Sequence, residues 1–449
     1  MKRSIGILTL IIFLTGMAVS TYAYEALVGP TGVLYYNESK SYGGYTVFAP
    51  NASKKTYLID MEGNVVHTWK SRTGPGLYAE LLPNGNLLRG TRPQYKYCGI
   101  PGTAGGVEEI DWNGKVVWKY KMANKNQVQH HCFNRMPNGN TLILGWERIS
   151  NEAMIAKGRD PKTVPVKVKS KGITHKDFWI DFVEEVNPAG QVVWEWHAMD
   201  HLGTGPDQLD PNFILPKPVG MIYATSDWSH FNSVAYVPET DQVLMNSRNL
   251  SEFYLVNHKT GKIEYRWGNK AAYGKGKPAS WYDSGDQLLS GSHDARYIGD
   301  GLVSVFDNGS ERPEGHRSRV VVVNTKTDEI EFEYRSWDTS SFSSHRQGAA
   351  QLLPNGNWFV TSSNSGHLFE ITKKGKIVWD FVNPIIMDKA RCTLKDDSKK
   401  VQVQGHDFYF NMIHRAYRYG ADYPGLKGKD LSVKGKLAKK CPDFFKVYK

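Results

Sequence analysis

The sequence predicts an all-β chain folded as a six-bladed β-propeller closed by strands from both termini. Two recurrences and one gap predict it. Five times after residue 70 an inner-strand pattern runs into a turn, the turns beginning at Pro83, Pro137, Pro238, Gly299 and Pro354. Six times a pair of β-rich runs around a Gly- or Asp-containing turn ends in an aromatic, at Trp69, Trp118, Trp194, Tyr265, Phe332 and Trp379. From Pro83 onward each inner hairpin precedes an outer one, giving four strands per unit at a spacing of roughly fifty residues, as in propeller blades. The first outer hairpin has only Tyr45-Thr46-Val47-Phe48 before it, so one inner strand must come from elsewhere.

Residues 1–23 carry Lys2 and Arg3, an apolar run from Ile5 to Met17 and small residues ending at Ala23. This is the pattern of a secretory signal peptide, and the run is short for a membrane span. An uncleaved anchor is the alternative reading, while the lack of a cysteine after the run argues against a lipoprotein. The expectation is a periplasmic or secreted protein, not integral to the membrane after cleavage. Residues 24–449 then form the propeller, with the closing strand and tail at about 385–449. The stretch Asp407 to Ile413 is expected to return and complete the first blade, which removes the open sheet edge and fixes a central channel. Two insertions, around Ser150 to Lys176 and His197 to Ser226, are rich in Pro, Gly, Lys and Asp and are expected as loops over one mouth of that channel.

With 449 residues the chain can bury a large core. Removing Lys2 and Arg3 lowers the formal charge from +11 to +9, and the remaining charges are scattered through turns such as Lys373-Lys374-Gly375-Lys376. That distribution argues against nucleic acid as a partner and for a modest preference for anionic small molecules. The cysteines Cys98, Cys132, Cys392 and Cys441 lack metal-ligand spacing; one or two disulfides of open pairing are expected in an exported protein.

The turns also locate a site. Counting six residues back from them gives Leu77, His131, Asn232, His293 and Gly348, and His230 lies two residues before Asn232, on the same strand face. Six strand residues span roughly 20 Å, so these positions lie at the rim opposite the turns. On the returning strands Arg248, Asn308 and Ser363 occupy corresponding places. His131, His230, Asn232, Arg248, His293 and Asn308 are therefore expected at one opening, as a donor-rich, cationic cup without an obvious carboxylate. Such a cup suits a tetrahedral oxyanion such as sulfate or phosphate, and a neutral imidazole in it can attack an electrophilic centre. A lone strand histidine is most often structural, the reading adopted for His67, His258 and His367. Asn308, in Phe306-Asp307-Asn308-Gly309, also fits a turn cap. A zinc or copper site is the other use of clustered imidazoles, opposed here by the adjacent Arg248. The expected chemistry needs no metal or other cofactor. A non-catalytic ligand- or protein-binding propeller, or a His-rich metal-dependent propeller hydrolase, are the alternatives.

His130-His131, Asp227-Trp228-Ser229-His230-Phe231-Asn232-Ser233, Asn246-Ser247-Arg248, Ser292-His293-Asp294-Ala295-Arg296 and Phe306-Asp307-Asn308-Gly309, in this order, resemble the arylsulfate sulfotransferase family of bacterial exported enzymes. The tail from Arg415-Ala416-Tyr417-Arg418-Tyr419 to Asp430 is similar to that family's C-terminal signature. The resemblance implies a six-bladed propeller that moves a sulfuryl group from one phenolic sulfate to another phenol without a nucleotide donor. It implies that His293 is the nucleophile, that His230, Asn232 and Arg248 hold the sulfate oxygens, and that His131 transfers the phenol proton. His130 has the opposite strand parity, so His131 is preferred. Some members carry a separate N-terminal β domain; this chain has fewer than twenty mature residues before Tyr42, and its oligomeric state, a homodimer included, stays open. His345, in the basic stretch Ser343 to Gly348, is nine residues before Pro354 and off register; it is a second-tier substrate contact.

Overall fold

Strands that alternate side chains between the faces of small antiparallel sheets account for almost all of the regular secondary structure of the described residues. The computed structural model describes residues 30–437 apart from 52, 215–224, 311, 339–340, 387–388, 391–400, 404–405 and 409–410. The expected signal peptide, part of the second insertion, Cys392 and Cys441 fall outside the described residues. Six sheets form the ring of a propeller. Blade 2 consists of Gly74–Leu81, Leu87–Arg92, Gly106–Ile110 and Val116–Lys121; blade 3 of Gln127–Arg135, Thr141–Ile149, Phe178–Val186 and Val192–His197. Blade 4 is Phe231–Val237, Gln242–Ser247, Glu252–Asn257 and Ile263–Trp267; blade 5 is His293–Tyr297, Leu302–Asp307, Arg319–Asn324 and Glu329–Tyr334. Blade 6 comprises Ala349–Leu352, Trp358–Ser362, His367–Ile371 and Ile377–Val382, with Gly32–Tyr36 added at its outer edge. Among the described residues no helix is long and apolar enough to cross a membrane.

Both termini do close the ring, but the closing strand differs from the expected one. Blade 1 is built from Tyr45–Pro50, Lys55–Ile59 and Asn64–Lys70, and its innermost strand is Ile413–Tyr419, paired to Tyr45–Pro50. Asp407 and Phe408, which open the stretch expected to close the ring, instead belong to His406–Phe408, paired with Val401–Val403, and only Ile413 of that stretch lies in the closing strand. Arg415 and Arg418 break the apolar pattern of the true strand, which hides it in sequence. Both are fully buried, and each is matched by a buried carboxylate: Arg415 lies 3.3 Å from Asp294 and Arg418 3.2 Å from Glu370. Arg418 also packs over Phe359 and Trp379.

Aromatics that end the outer hairpins bridge the blade interfaces, Trp196 and Trp267 doing so in blades 3 and 4 in place of the expected Trp194 and Tyr265 two residues before them. The indole N–H of Trp69, Trp196, Trp267 and Trp379 donates to the carbonyl oxygens of Asp111, Gly261, Asp328 and Met61 respectively, each in the outer turn of the next blade. The last of these joins blade 6 to blade 1. In the Pro-Asn-Gly-Asn turns Gly85, Gly139 and Gly356 take φ near +80 to +90°, which only glycine adopts without strain. The closing Asn of each turn donates its side-chain amide to a glutamate of the third strand: Asn86 to Glu109, Asn140 to Glu185, Asn357 to Glu370.

The first insertion is not a plain loop. It holds the helix Asn151–Ala156 and a ribbon of Val168–Ser170 with Ile173–His175. The ribbon docks on Gly99, whose carbonyl accepts from Ser170 Oγ at 2.7 Å. Cys98 and Cys132 are buried free thiols, so no disulfide joins them. The three histidines read as structural are so placed: His258 bonds Glu185 and Asp241, His367 bonds Asp380, and His67 stacks on Trp112.

Candidate active site

The innermost strands of blades 1 to 5 lose their register near the axis. The pairing shifts opposite Leu77 in blade 2, His131 in blade 3 and Asn232 in blade 4, and after His293 in blade 5. Leu77, His131, His230, Asp294 and Gln347 take left-handed φ values of 88°, 44°, 46°, 53° and 60°. A bulge re-aims side chains, and a non-glycine residue held at positive φ stores about 1–3 kcal/mol that the surroundings must offset. Strain of the same kind at one level of five neighbouring blades marks a built site rather than five accidents. Gly102 lies against His131, its carbonyl accepting the His131 backbone N–H, and a Cβ there would overlap the imidazole.

His293 is fixed by its neighbours in one tautomer. Its Nδ1 faces two acceptors, Asn308 Oδ1 at 2.7 Å and the Gly291 carbonyl at 3.1 Å. Asn308 cannot present its amide nitrogen there, because that group donates to the carbonyls of Ser344 (2.5 Å) and Gln347 (2.7 Å). The ring proton therefore sits on Nδ1, and Nε2 carries a lone pair, facing the Gln347 backbone N–H at 3.2 Å. Burial, with the Arg248 and Arg415 charges, pushes the His293 pKa down to about 3, so the ring is neutral at pH 7.

His131 and His230 meet in an edge-to-face pair with centroids 4.7 Å apart. His130 Nε2 lies 3.1 Å from Asp181 Oδ1, which favours the proton on that nitrogen, and His130 Nδ1 lies 2.9 Å from His131 Nδ1. His131 is then the donor in that contact, and its Nε2 is bare. Burial and the neighbouring imidazoles hold His131 well below the usual histidine range. His230 Nδ1 contacts Asp227 Oδ2 at 2.5 Å. Burial, reinforced by Asp181, pushes the Asp227 carboxyl well up, while burial and Arg248 push His230 well down. Both shifts disfavour charge on this buried pair. A carboxylate at the cup was not expected; the structure supplies one, bonded to His230. His230 precedes the strand that contains Asn232, so shared strand parity does not align the two. Asn232 turns its amide toward blade 5, donating to the Ser292 carbonyl at 2.7 Å and accepting from Asn246 at 2.9 Å. Arg248 is buried directly after its strand, with Nη1 donating to Asn249 at 2.8 Å and its charge acting on both His230 and His293.

The structure therefore gathers His131, His230, His293, Arg248 and Asn308 around one mouth, with Asn232 between blades 4 and 5. His345 is half-buried, its ring 6.0 Å from that of His316 rather than against these histidines. Its neighbour Arg346 exerts a charge on His230. His414 was missed by sequence reasoning. Thr46 pairs with Arg418 as Leu87 pairs with Leu81, so Gly420 stands where Pro83 stands and His414, six before it, is the blade 1 equivalent of His131 and His293. The same count would have found it from the true closing strand. Among the described residues, no group of three or more His, Cys, Asp or Glu side chains is placed to hold a metal ion.

Fold and site define a six-bladed propeller with a strained, histidine-lined and donor-rich cup at one end of its axis. The chain belongs to the arylsulfotransferase (ASST) family, whose profile matches residues 33–418, from the outer strand of blade 6 to the closing strand of blade 1. Membership carries arylsulfotransferase activity in general terms, with aryl sulfates and phenols as the implied substrates. No curated protein sequence matches the chain. It is similar in structure to a Bacteroides caccae protein of unknown function, at 12% identity and a TM-score of 0.46 over 76% of this chain and 94% of that one. Virginiamycin B lyase from Staphylococcus aureus matches at 9% identity and 0.40 over 79% and 85%. Kuenenia stuttgartiensis hydrazine synthase matches at 9% and 0.40 over 80% and 81%. These likenesses are too distant to carry any argument about the site.

Proposed function

We propose that the protein moves a sulfuryl group from a phenolic sulfate ester to a phenol by a ping-pong cycle, without a nucleotide donor, through a sulfohistidine at His293. The observation that carries the reading is the fixed tautomer of His293: a neutral, buried imidazole whose Nε2 carries the lone pair, able to attack sulfur once the 3.2 Å contact from the Gln347 N–H is given up. In the first half, Nε2 forms the N–S bond as the bond from sulfur to the aryl oxygen breaks. His230, Arg248 and the remaining amide hydrogen of Asn232 hold the sulfuryl oxygens, where fixed donors supply most of the acceleration. The anionic ester offsets the cost of charging His131, which takes up a solvent proton on Nε2 as the donor binds and gives it to the departing phenoxide. In the second half an acceptor phenol attacks sulfur as the N–S bond breaks, His131 Nε2 takes the phenolic proton, and His293 is released neutral. His131 returns that proton to solvent as the new ester leaves, so each cycle takes up and releases one proton. The basic start and apolar run of residues 1–23 support a periplasmic or secreted location.

Brief exposure to 4-nitrophenyl sulfate, followed by mass spectrometry of peptides quenched in alkali, tests the reading. An adduct of about 80 Da on the peptide containing His293, discharged by added phenol, is expected of covalent transfer. His293→Asn should show no adduct and no transfer while keeping its fold. Turnover at the normal rate in that variant would end the assignment.

A further inference from the structure

Most of the side chains gathered at the cup stand on one side of the ring. His131, His230, Asn232, Arg248, His293 and Asn308 come from blades 3, 4 and 5, which are neighbours. At the equivalent level blade 2 presents Leu77 and blade 6 presents Gly348, neither with a polar side chain. Blade 1 presents His414. Its ring centroid lies 6.0 Å from that of His131 and 6.4 Å from that of His293, and Tyr78 of blade 2 flanks it at 6.2 Å. The side chain is fully buried, and neither Nδ1 nor Nε2 has a hydrogen-bond partner in the protein.

That combination is costly and is not needed for packing. A buried polar group without a protein partner costs on the order of 1–3 kcal/mol. Phe, of similar size and shape, would fill the same volume among Tyr78 and the imidazoles at no such cost. The surroundings also disfavour charge on the ring, since Arg415 and His293 both act on it and burial pushes it well below the usual histidine range. A neutral imidazole has one N–H and one lone pair to offer, and the rings around it are those of His131, Tyr78 and the nucleophile.

We infer that His414 is a direct ligand of the bound oxyanion: its N–H donates to an oxygen of the sulfate ester from the side of the ring opposite Asn232, completing the cup as its fourth imidazole. The inference rests on the proposed site for its choice of ligand, but binding of inorganic sulfate tests it without any turnover.

The test compares the unaltered protein with His414→Phe and His414→Gln, using inorganic sulfate in calorimetry and 4-nitrophenyl sulfate in kinetics. Loss of one hydrogen bond to a charged oxygen predicts that His414→Phe weakens sulfate binding and donor kcat/KM by about 10- to 100-fold. His414→Gln, which keeps an N–H donor, should recover part of both. The melting temperature of His414→Phe should rise in sulfate-free buffer, because the unpaired group is gone; a purely structural histidine would move it the other way. Sulfate affinity and kcat/KM within about threefold of the unaltered protein, in a folded His414→Phe variant, would overturn the inference. Should that variant not fold, the ring nitrogen signals of His414 in the 15N-histidine-labelled intact protein decide: they shift on sulfate addition if it is a ligand, and no shift overturns the idea. Sulfate binding that depends on His414 in a protein that transfers no sulfuryl group would sink the proposed reaction and leave this ligand in place. Normal transfer with an indifferent His414→Phe would do the reverse.

Discussion

Asn308→Ala isolates the tautomer argument from the rest of the site. In the intact protein the His293 Nδ1–H has two acceptors, Asn308 Oδ1 at 2.7 Å and Gly291 O at 3.1 Å, and the substitution removes the shorter. One neutral hydrogen bond is worth about 0.5–1.5 kcal/mol net, so the preference for the reactive tautomer falls by about 2- to 13-fold. The burst of nitrophenol from 4-nitrophenyl sulfate, followed by stopped flow, should slow, by at most that factor. The variant also leaves the Ser344 and Gln347 carbonyls without the Asn308 amide, so its stability falls as well. Asn308→Asp separates the two effects: its carboxylate still accepts from Nδ1 but cannot donate to those carbonyls, so the burst persists while the melting temperature drops. An Asn308→Ala protein that is folded and shows an unchanged burst would refute the claim that this side chain sets the nucleophile.

Arg248→Lys replaces a planar fork with a point charge and should lower donor kcat/KM by about tenfold with little change in melting temperature; equal activity would place the guanidinium away from the sulfuryl oxygens. His293 titrates near 6.5 when unfolded and at about 3 when folded, so between those values only the unfolded chain binds the extra proton. Its contribution is complete above pH 6.5 and declines on acidification, by up to about 1.4 kcal/mol per pH unit. The urea stability of the intact protein relative to His293→Asn should fall accordingly from pH 7.5 to pH 5 in sulfate-free buffer, and a gap that is flat or widens with acid would contradict a neutral ring. Arg418→Met leaves Glu370 buried without its guanidinium and should cost about 3–5 kcal/mol in denaturant unfolding, with partial recovery in the double variant carrying Glu370→Gln. Equal losses in the single and double variants would mean that packing, not the buried charge, carries the effect.

Much of this arrangement was readable from spacing alone, because the repeat ties each inner strand to a turn that glycine, proline and asparagine announce. His131, Asn232 and His293 follow from counting back along that strand, and Arg248 and Asn308 from the same count on its partner. The reasoning failed where charge is buried. Arg415 and Arg418 look like surface residues until Asp294 and Glu370 are brought to them from blades 5 and 6, and with the closing strand misplaced His414 dropped out of register. Asp227 and Asp181 were likewise invisible as partners: the first meets His230 through a backbone turn at positive φ, the second reaches His130 from the third strand of blade 3. A period reports which residues share a level, whereas the hydrogen-bond partners that set tautomers come from other blades.

The position of Ile413–Tyr419 has a consequence for biosynthesis. This segment is made after every strand of blades 2 to 6, yet it occupies the place nearest the axis in the blade whose other strands are made first. A nascent chain can assemble blades 2 to 6 in order while the first waits with one side uncovered, and neither His414 nor the Arg415–Asp294 pair exists until the rest of the ring has been made. A stop codon before residue 413 should therefore yield an open, protease-sensitive ring rather than a slower catalyst.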